Sequence, residues 1–134
     1  MDKNNNPLVT VGIPVFNGEK FMKRRLDSIL NQTYQNFEIL ISDNRSNDLT
    51  SKICEDYQKK ENKIKYYRQQ KNLGFVKNFN YLLKNTQTKY FVMAAVDDLW
   101  EPTFLEENIK ILESNEKIVG SIGEVKYFGN ISNK

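Results

Sequence analysis

Apolar and polar residues alternate along this chain in blocks that predict strands and helices in turn. Residues 8–15 and 37–42 are rich in β-branched and apolar side chains, which is typical of buried strands. Between them, apolar side chains recur at helical spacing over residues 19–30, and Lys23, Arg24 and Arg25 are predicted to face solvent. The alternation continues as helix, strand, helix, strand and helix over residues 48–57, 64–68, 72–83, 90–96 and 102–113.

This alternation predicts an α/β fold with a largely parallel sheet and right-handed crossovers. Residues 118–128 are predicted to form one more extended segment. The expected organisation is therefore a disordered N-terminal segment over residues 1–7, a single domain over 8–128, and a frayed tail over 129–134.

Two adjacent carboxylates, Asp97 and Asp98, follow the apolar run over residues 90–96. Such a run predicts a strand buried on both faces, where unpaired charges are costly. We therefore expect both carboxylates to meet solvent, a cation or a ligand at the carboxyl end of the strand. The alternative interpretation is that Asp97 caps the helix beginning near Pro102, while Asp98 is solvated.

Further polar residues follow the other predicted strands. The strand-to-helix turns of a parallel sheet lie at one edge, which is where ligands bind in such folds. Ser46 or Asn47 is predicted to cap the second helix, with Asp48 in its first turn. The polar side chains expected to converge at this edge are Asp43, Asn44, Asn72, Asp97 and Asp98.

The composition excludes several classes of function. The 134 residues contain no histidine, which excludes imidazole bases and histidine-ligated zinc. The single cysteine, Cys54, is predicted to be a buried packing residue, as suits a reducing cytoplasm. The net charge of +3 is scattered, so nucleic acid is not an expected partner. Neither a signal peptide nor a membrane-spanning run is evident, and the predicted location is the cytoplasm.

The common nucleotide-binding motifs are missing from the first turn. No Gly-x-Gly-x-x-Gly follows the first strand, the spacing from Gly12 to Gly18 is one residue too long for a P-loop, and no Ser or Thr follows Lys20 to hold magnesium. A phosphorylated ligand at this carboxylate-rich edge would therefore need a bridging divalent cation. Oxygen ligands of this type suit Mg²⁺ or Mn²⁺.

Five blocks of sequence, in this order, resemble the nucleotide-sugar-dependent glycosyltransferases of family 2. They are TVGIPVFNGE at 10–19, LDSILNQTY with FE at 26–38, SDNRSND at 42–48, NLG at 72–74 with Asn78 and Asn80, and DDLWEP at 97–102. The resemblance covers residues 8–128. It implies the GT-A fold, which is a Rossmann-like, mostly parallel sheet with helices on both faces, here truncated.

The resemblance also implies an activity and a set of site residues. The activity is metal-assisted, inverting transfer of a sugar, from a UDP-sugar or another nucleoside-diphosphate sugar, to a saccharide or lipid-linked acceptor. Such an enzyme would serve polysaccharide biosynthesis for the cell envelope, at the inner face of the membrane. The implied metal ligands are Asp98 and Asp97, with Mg²⁺ or Mn²⁺ as cofactor. The implied nucleotide-binding residues are Pro14, Phe16, Glu19, Asp43, Asn44, Asn72, Gly74, Asn78 and Asp97.

The chain departs from the family pattern in three respects. Ala95 stands where relatives often carry a further acidic residue, and Asn44 stands where many have aspartate. The third departure is length. The acceptor site and general base of the family lie beyond the metal motif, this chain continues only a short way past it, and neither Glu101 nor Glu124 matches that base. We therefore expect the chain to bind a donor without transferring sugar efficiently. Apolar side chains around residues 118–128 predict self-association.

Three other classes of protein were compared with this pattern. A non-catalytic nucleotide-sugar binding or interaction module would fit the expected lack of an acceptor half. A nucleotidyltransferase would show a glycine-rich, basic opening turn, and the stretch from Val11 to Lys20 lacks that arrangement. A receiver domain would need an acidic pair after the first strand, where this chain has residues 14–17.

Overall fold

The computed structural model describes residues 6–129 of the chain. Strands and helices alternate along all of its regular structure. The elements are β1 (Val9–Val15), α1 (Met22–Leu30), β2 (Phe37–Asp43), α2 (Thr50–Lys60), β3 (Ile64–Arg68), α3 (Phe75–Lys84), β4 (Tyr90–Met93) and α4 (Phe104–Ser114). The predicted α/β class is confirmed.

The four strands form one parallel sheet in the order β3-β2-β1-β4. The chain moves outward from β1 through β2 to β3, and then crosses back to place β4 on the other side of β1. The register sets Val15 opposite Asp43 and Gly12 opposite Met93, so the carboxyl ends of the three neighbouring strands lie at one edge.

Alternate residues of the strands bury two different surfaces, as the period of a strand requires. Odd-numbered residues of β1 and β2 pack in a buried cluster with α1, α2 and α4, which contribute Leu26, Cys54 and Leu105. The opposite face is covered by α3, whose Leu82 side chain would lie 3.4 Å from a Cβ added to Gly12. Helices therefore cover both faces, and the buried environment predicted for Cys54 is confirmed.

Several helices begin later than the sequence predicts. α1 begins at Met22 rather than at residue 19, because Gly18 accepts the first backbone hydrogen bonds of the turn. α2 begins at Thr50, so neither Ser46 nor Asn47 is its N-cap. The side chain of Asp48 instead accepts a hydrogen bond from the Thr50 backbone N–H at 2.9 Å. α4 begins at Phe104, after the turn that contains Pro102.

The expectation of a strand over residues 90–96 that is buried on both faces is wrong. Strand β4 ends at Met93 and lies at the edge of the sheet that residues 6–129 form, so it is half-buried there, with 41% of Met93 exposed. The predicted extended segment over 118–128 forms no strand in the described part of the chain. Its apolar side chains are highly exposed, with Val119 at 99% and Ile122 at 95%. The predictions for residues 1–5 and 130–134 lie outside the described residues.

Across residues 6–129, each helix is too short and too polar to cross the apolar part of a bilayer.

Candidate functional site

The order of the strands creates a crevice at the carboxyl edge of the sheet. The strand order reverses at β1, because β2 lies on one side of it and β4 on the other, and ligands of open α/β sheets bind near such a reversal. A cleft of about 330 Å³ lies there. It is lined by Pro14, Val15, Phe16, Asn44, Asn72, Gly74, Phe75 and Asn78. Six of these eight residues, all except Val15 and Phe75, are in the predicted nucleotide-binding set.

A small amide network fixes one wall of the cleft. Asn44 donates from Nδ2 to Oδ1 of Asn72 at 2.9 Å, and its own Oδ1 accepts from the Leu73 backbone N–H at 2.7 Å. Oδ1 of Asn72 also accepts from the Gly74 backbone N–H at 2.8 Å. Gly74 is the N-cap residue of α3 and has a φ of 79°, a conformation that residues with a side chain disfavour. These contacts hold the turn before α3 against the end of β2.

Asn78 supports the cleft from below. It is buried, and its Nδ2 donates to the Ser42 carbonyl at 2.9 Å, while its Oδ1 accepts from the Ser42 hydroxyl at 2.6 Å. Gln69 donates to the same hydroxyl at 3.0 Å. Because each polar atom has a protein partner, this group locks α3 onto β2.

Asp43 is directed into the protein rather than into the cleft. Its side chain is completely buried, and Oδ1 accepts from the backbone N–H and the hydroxyl of Ser46 at 2.9 and 2.6 Å. Oδ2 accepts from the Tyr66 hydroxyl at 2.5 Å. Burial and this bond to Asp43 raise the pKa of Tyr66. The nucleotide-contacting role implied for Asp43 stays a prediction, and its observed contacts hold the turn after β2.

The turns after β1 and β2, residues 16–20 and 44–50, are joined by hydrogen bonds and are called here the interlocked turns. Asn17 donates to the Ser46 hydroxyl and accepts from the Asn47 backbone N–H, at 2.8 and 2.9 Å. Gly18 donates to the Thr50 hydroxyl at 2.9 Å. Glu19 accepts from the Leu49 backbone N–H at 2.9 Å, so its carboxylate supports the start of α2. Glu19 is not among the residues that line the cleft.

Two aromatic rings border the cleft. Phe16 is 49% exposed and Phe75 is 65% exposed. Exposed aromatic faces can stack on a nucleobase. Phe75 was not among the predicted site residues, although its position directly after the predicted Asn72–Gly74 turn was a signal for it.

Asp97 and Asp98 lie in a segment that we call the acidic turn, residues 94–101. The turn runs beside the end of β1, because the Ala94 backbone N–H donates to the Gly12 carbonyl at 2.8 Å. A Cβ on Gly18 would come within 3.1 Å of Val96, so only glycine allows the two turns to approach so closely. The carboxylates of Asp97 and Asp98 are therefore at the same edge as the cleft.

Both carboxylates are exposed, and within residues 6–129 neither accepts a hydrogen bond or forms an ion pair. The N-cap residue of α4 is Thr103, so the structure does not support the interpretation that Asp97 caps this helix. Carboxylate oxygens are hard ligands, and their charges are unpaired here, so the pair fits a divalent cation such as Mg²⁺ or Mn²⁺. Over the same residues, no three acidic or thiol side chains gather to form a metal site. Such a cation would need phosphate oxygens or water to complete its coordination.

The structure corrects the sequence prediction for Arg25. Its side chain is completely buried, whereas Lys23 and Arg24 are exposed as predicted. Arg25 lies on the same helical face as Met22 and Ile29, at the spacing of three and four residues that defines one face. Its guanidinium carbon lies 4.2 Å from the ring centroid of Trp100, at the end of the acidic turn.

Comparison with known proteins places this geometry in a family. The family model described as Glycosyl transferase family 2 matches residues 10–133. The chain belongs to glycosyl transferase family 2. The resemblance drawn from its five sequence blocks is therefore confirmed.

Relatives and solved structures of this family agree with the fold. An uncharacterized glycosyltransferase of Haemophilus influenzae is 36% identical over 123 residues, which are 90% of this chain and 38% of that protein. TarS of Staphylococcus aureus, solved in complex with UDP, has 26% identity and a TM-score of 0.74, covering 81% of this chain and 32% of that one. The mannosyltransferase PcManGT of Pyrobaculum calidifontis, in complex with GDP-Man and Mn²⁺, has 23% identity and a TM-score of 0.73, covering 80% and 32%.

These matches confirm the GT-A fold for this family 2 chain. The likeness to PcManGT shows the fold alone. The chain spans less than two-fifths of the length of each of these three proteins.

Proposed function

We propose that this chain is the donor-binding part of a glycosyltransferase that uses a nucleoside-diphosphate sugar, with UDP as the leading candidate for the nucleotide. The observation that carries the proposal is the position of two unpaired carboxylates at the same sheet edge as a cleft with aromatic and amide walls. The cleft suits a nucleoside, and the acidic turn suits a cation held together with a diphosphate. A solved relative of 26% identity contains UDP.

The proposed roles follow from what each side chain can contact. Phe16 offers a ring face to a nucleobase, and Asn44 and Asn72 hold the wall beside it. Asp98 and Asp97 would hold Mg²⁺ or Mn²⁺, which would stabilise the negative charge that develops on the leaving diphosphate. Asp43 would keep the turn after β2 in place, in addition to making the nucleoside contact implied for it.

The transfer itself is proposed to be inverting. An acceptor hydroxyl oxygen would bond to the anomeric carbon as the bond to the diphosphate breaks, and the hydroxyl proton would pass to a base. We assign that base to none of residues 6–129, since Glu101 and Glu124 are exposed and lie outside the cleft lining. A saccharide or lipid-linked acceptor, a cytoplasmic location at the inner face of the membrane, and a role in cell-envelope polysaccharide synthesis complete the proposal.

Calorimetric titration of the chain with UDP, in Mn²⁺ and in EDTA, tests this proposal. We expect Mn²⁺ to strengthen UDP binding, and Asp98→Asn to remove most of that gain. The matched control is Asp56→Asn, because Asp56 lies on α2 outside the cleft lining, with a half-exposed side chain that forms an ion pair with Lys52. ADP serves as the control nucleotide. Absence of nucleoside-diphosphate binding by the folded chain would reject the proposal.

A further inference from the structure

Arg25 lies beneath the acidic turn and is the least expected charged residue of the structure. Its side chain has no exposed surface. The guanidinium lies over the ring of Trp100, and that ring stacks in turn on Phe104, with centroids 4.4 Å apart. Arg25 therefore joins α1 to the segment that carries Asp97 and Asp98.

The guanidinium of Arg25 is a buried cation without a hydrogen-bonding partner. Among residues 6–129, no acceptor pairs with Nε, Nη1 or Nη2. A buried, unpaired charge is among the most costly features a fold can contain. The face of Trp100 offsets part of that cost through a cation–π contact, which is attractive but does not satisfy the N–H donors.

Burial lowers the pKa of Arg25 to about 10, and the negative charges of Asp98 and then Asp97 oppose that change. The group therefore remains cationic at neutral pH. Asp27, the nearest acid along α1, is exposed and accepts a hydrogen bond from Tyr57 at 2.6 Å. The negative charges that act on Arg25 are therefore those of Asp98 and Asp97 in the acidic turn.

We propose that Arg25 is a built-in counter-charge for Asp97 and Asp98, which weakens binding of a bare divalent cation and strengthens binding of an anionic diphosphate. Arg25 would act through the electrostatic potential at the acidic turn, since its buried guanidinium cannot reach a ligand directly. The consequence is that cation and diphosphate bind together, rather than the cation alone. This inference rests on the proposed function.

The experiment measures binding of Mn²⁺ alone and of UDP in EDTA by calorimetry, for the wild-type chain and three variants. Arg25→Met removes the charge and keeps a long apolar side chain, a replacement that buried ionic groups often tolerate. Arg25→Lys keeps the charge without the planar group. Lys23→Met is the matched control, because it removes the same charge from the exposed face of the same helix.

We expect Arg25→Met to bind Mn²⁺ alone about fivefold more tightly and UDP in EDTA about fivefold more weakly, which are the opposite signs that Coulomb's law requires. Arg25→Lys should lie close to wild type in both titrations, and Lys23→Met should match wild type. Fluorescence of Trp100, the single tryptophan, and urea unfolding check that each variant is folded.

Loss of Mn²⁺ and UDP binding together in Arg25→Met would indicate a purely structural role and would overturn the inference. Unchanged affinities in Arg25→Met would also overturn it. If the methionine variant does not fold, Arg25→Gln takes its place in the same titrations. A folded wild-type chain that binds neither UDP nor Mn²⁺ would reject the proposed function as well, so the two failures are distinguishable.

Discussion

The two halves of the candidate site are built on different principles. In the interlocked turns, residues 16–20 and 44–50, polar side chains accept hydrogen bonds from the backbone of the facing turn. Asp43 lies beneath them, buried, and both of its carboxylate oxygens accept hydrogen bonds. The acidic turn, residues 94–101, leaves Asp97 and Asp98 exposed and without partners in the described part of the chain. The first half is pre-formed by the protein. The second half leaves its carboxylates open, and it is the part that we propose holds a cation.

The comparison shows that acidic residues at the same edge of a sheet can have different roles, one structural and one at the surface. Asp43 contributes to the stability of the fold, because it satisfies buried donors. Asp98 contributes less to stability, because it is exposed and accepts no hydrogen bond within residues 6–129, so that only its charge acts on Arg25. Sequence position alone does not separate these roles, since both residues follow a β-strand.

The largest effect should come from Asp43→Ala. This change leaves the donors of Ser46 and Tyr66 without their buried acceptor, and we expect the free energy of unfolding to fall by about 3 kcal/mol. Asp98→Ala should lower it by about 1 kcal/mol or less, because the carboxylate is exposed and the change removes only its charge interaction with Arg25. Urea unfolding followed by circular dichroism measures both. Equal losses in the two variants would break the comparison.

An intermediate effect is expected where the two halves touch. In Gly18→Ala the new Cβ would lie 2.6 Å from Val15 and 3.1 Å from Val96, so the Val15 side chain must shift and Val96 must give way by a few tenths of an ångström. Overpacking of this kind costs about 1–3 kcal/mol. Gly120→Ala is the control, because no atom lies within 4 Å of its added Cβ. Thermal unfolding of both variants tests this, and a Gly18 variant as stable as its control would contradict it.

The smallest effect at neutral pH concerns Cys54, which packs under the interlocked turns. Burial, and to a smaller extent the charge of Asp43, raises the pKa of its thiol from 9.0 to about 12. Because the neutral thiol is favoured in the folded state, the stability it contributes is present below pH 9 and lost as pH rises towards 12.

The reactivity of Cys54 measures how firmly the interlocked turns are held. At pH 8 we expect almost no reaction of the folded chain with a disulfide reagent, and complete reaction in urea. Asp43→Ala should speed the reaction of the folded chain, and Asp98→Ala should leave its rate unchanged. A fast reaction of the wild-type chain would show that α2 opens easily.

The sequence predicted the fold class because the helix and strand periods are strong and alternate regularly along the chain. It also predicted the family, the order of the elements, and six of the residues that line the cleft, including Phe16 and Asn72. Element ends were less predictable. Asp48, for example, supports the start of α2 from outside the helix, and Gly18 delays the start of α1.

The nucleotide contacts implied for Glu19 and Asp43 stay predictions, and in the structure both carboxylates accept hydrogen bonds from neighbouring turns. The sequence misplaced one side chain. Arg25 was predicted to face solvent because it follows two other basic residues, although its helical spacing from Met22 and Ile29 matched the buried face. That prediction relied on the run of basic residues and overlooked the helical spacing.

By itself, the sequence determined which residues form strands and helices, since hydrophobic period and turn chemistry act between neighbours along the chain. It also determined that carboxylates would follow the last strand. Only the tertiary structure decided which carboxylates are paired and which are free, because pairing depends on contacts between turns far apart in sequence. For the same reason it alone decided that β4 is an exposed edge and that the charge of Arg25 is buried beneath the acidic turn.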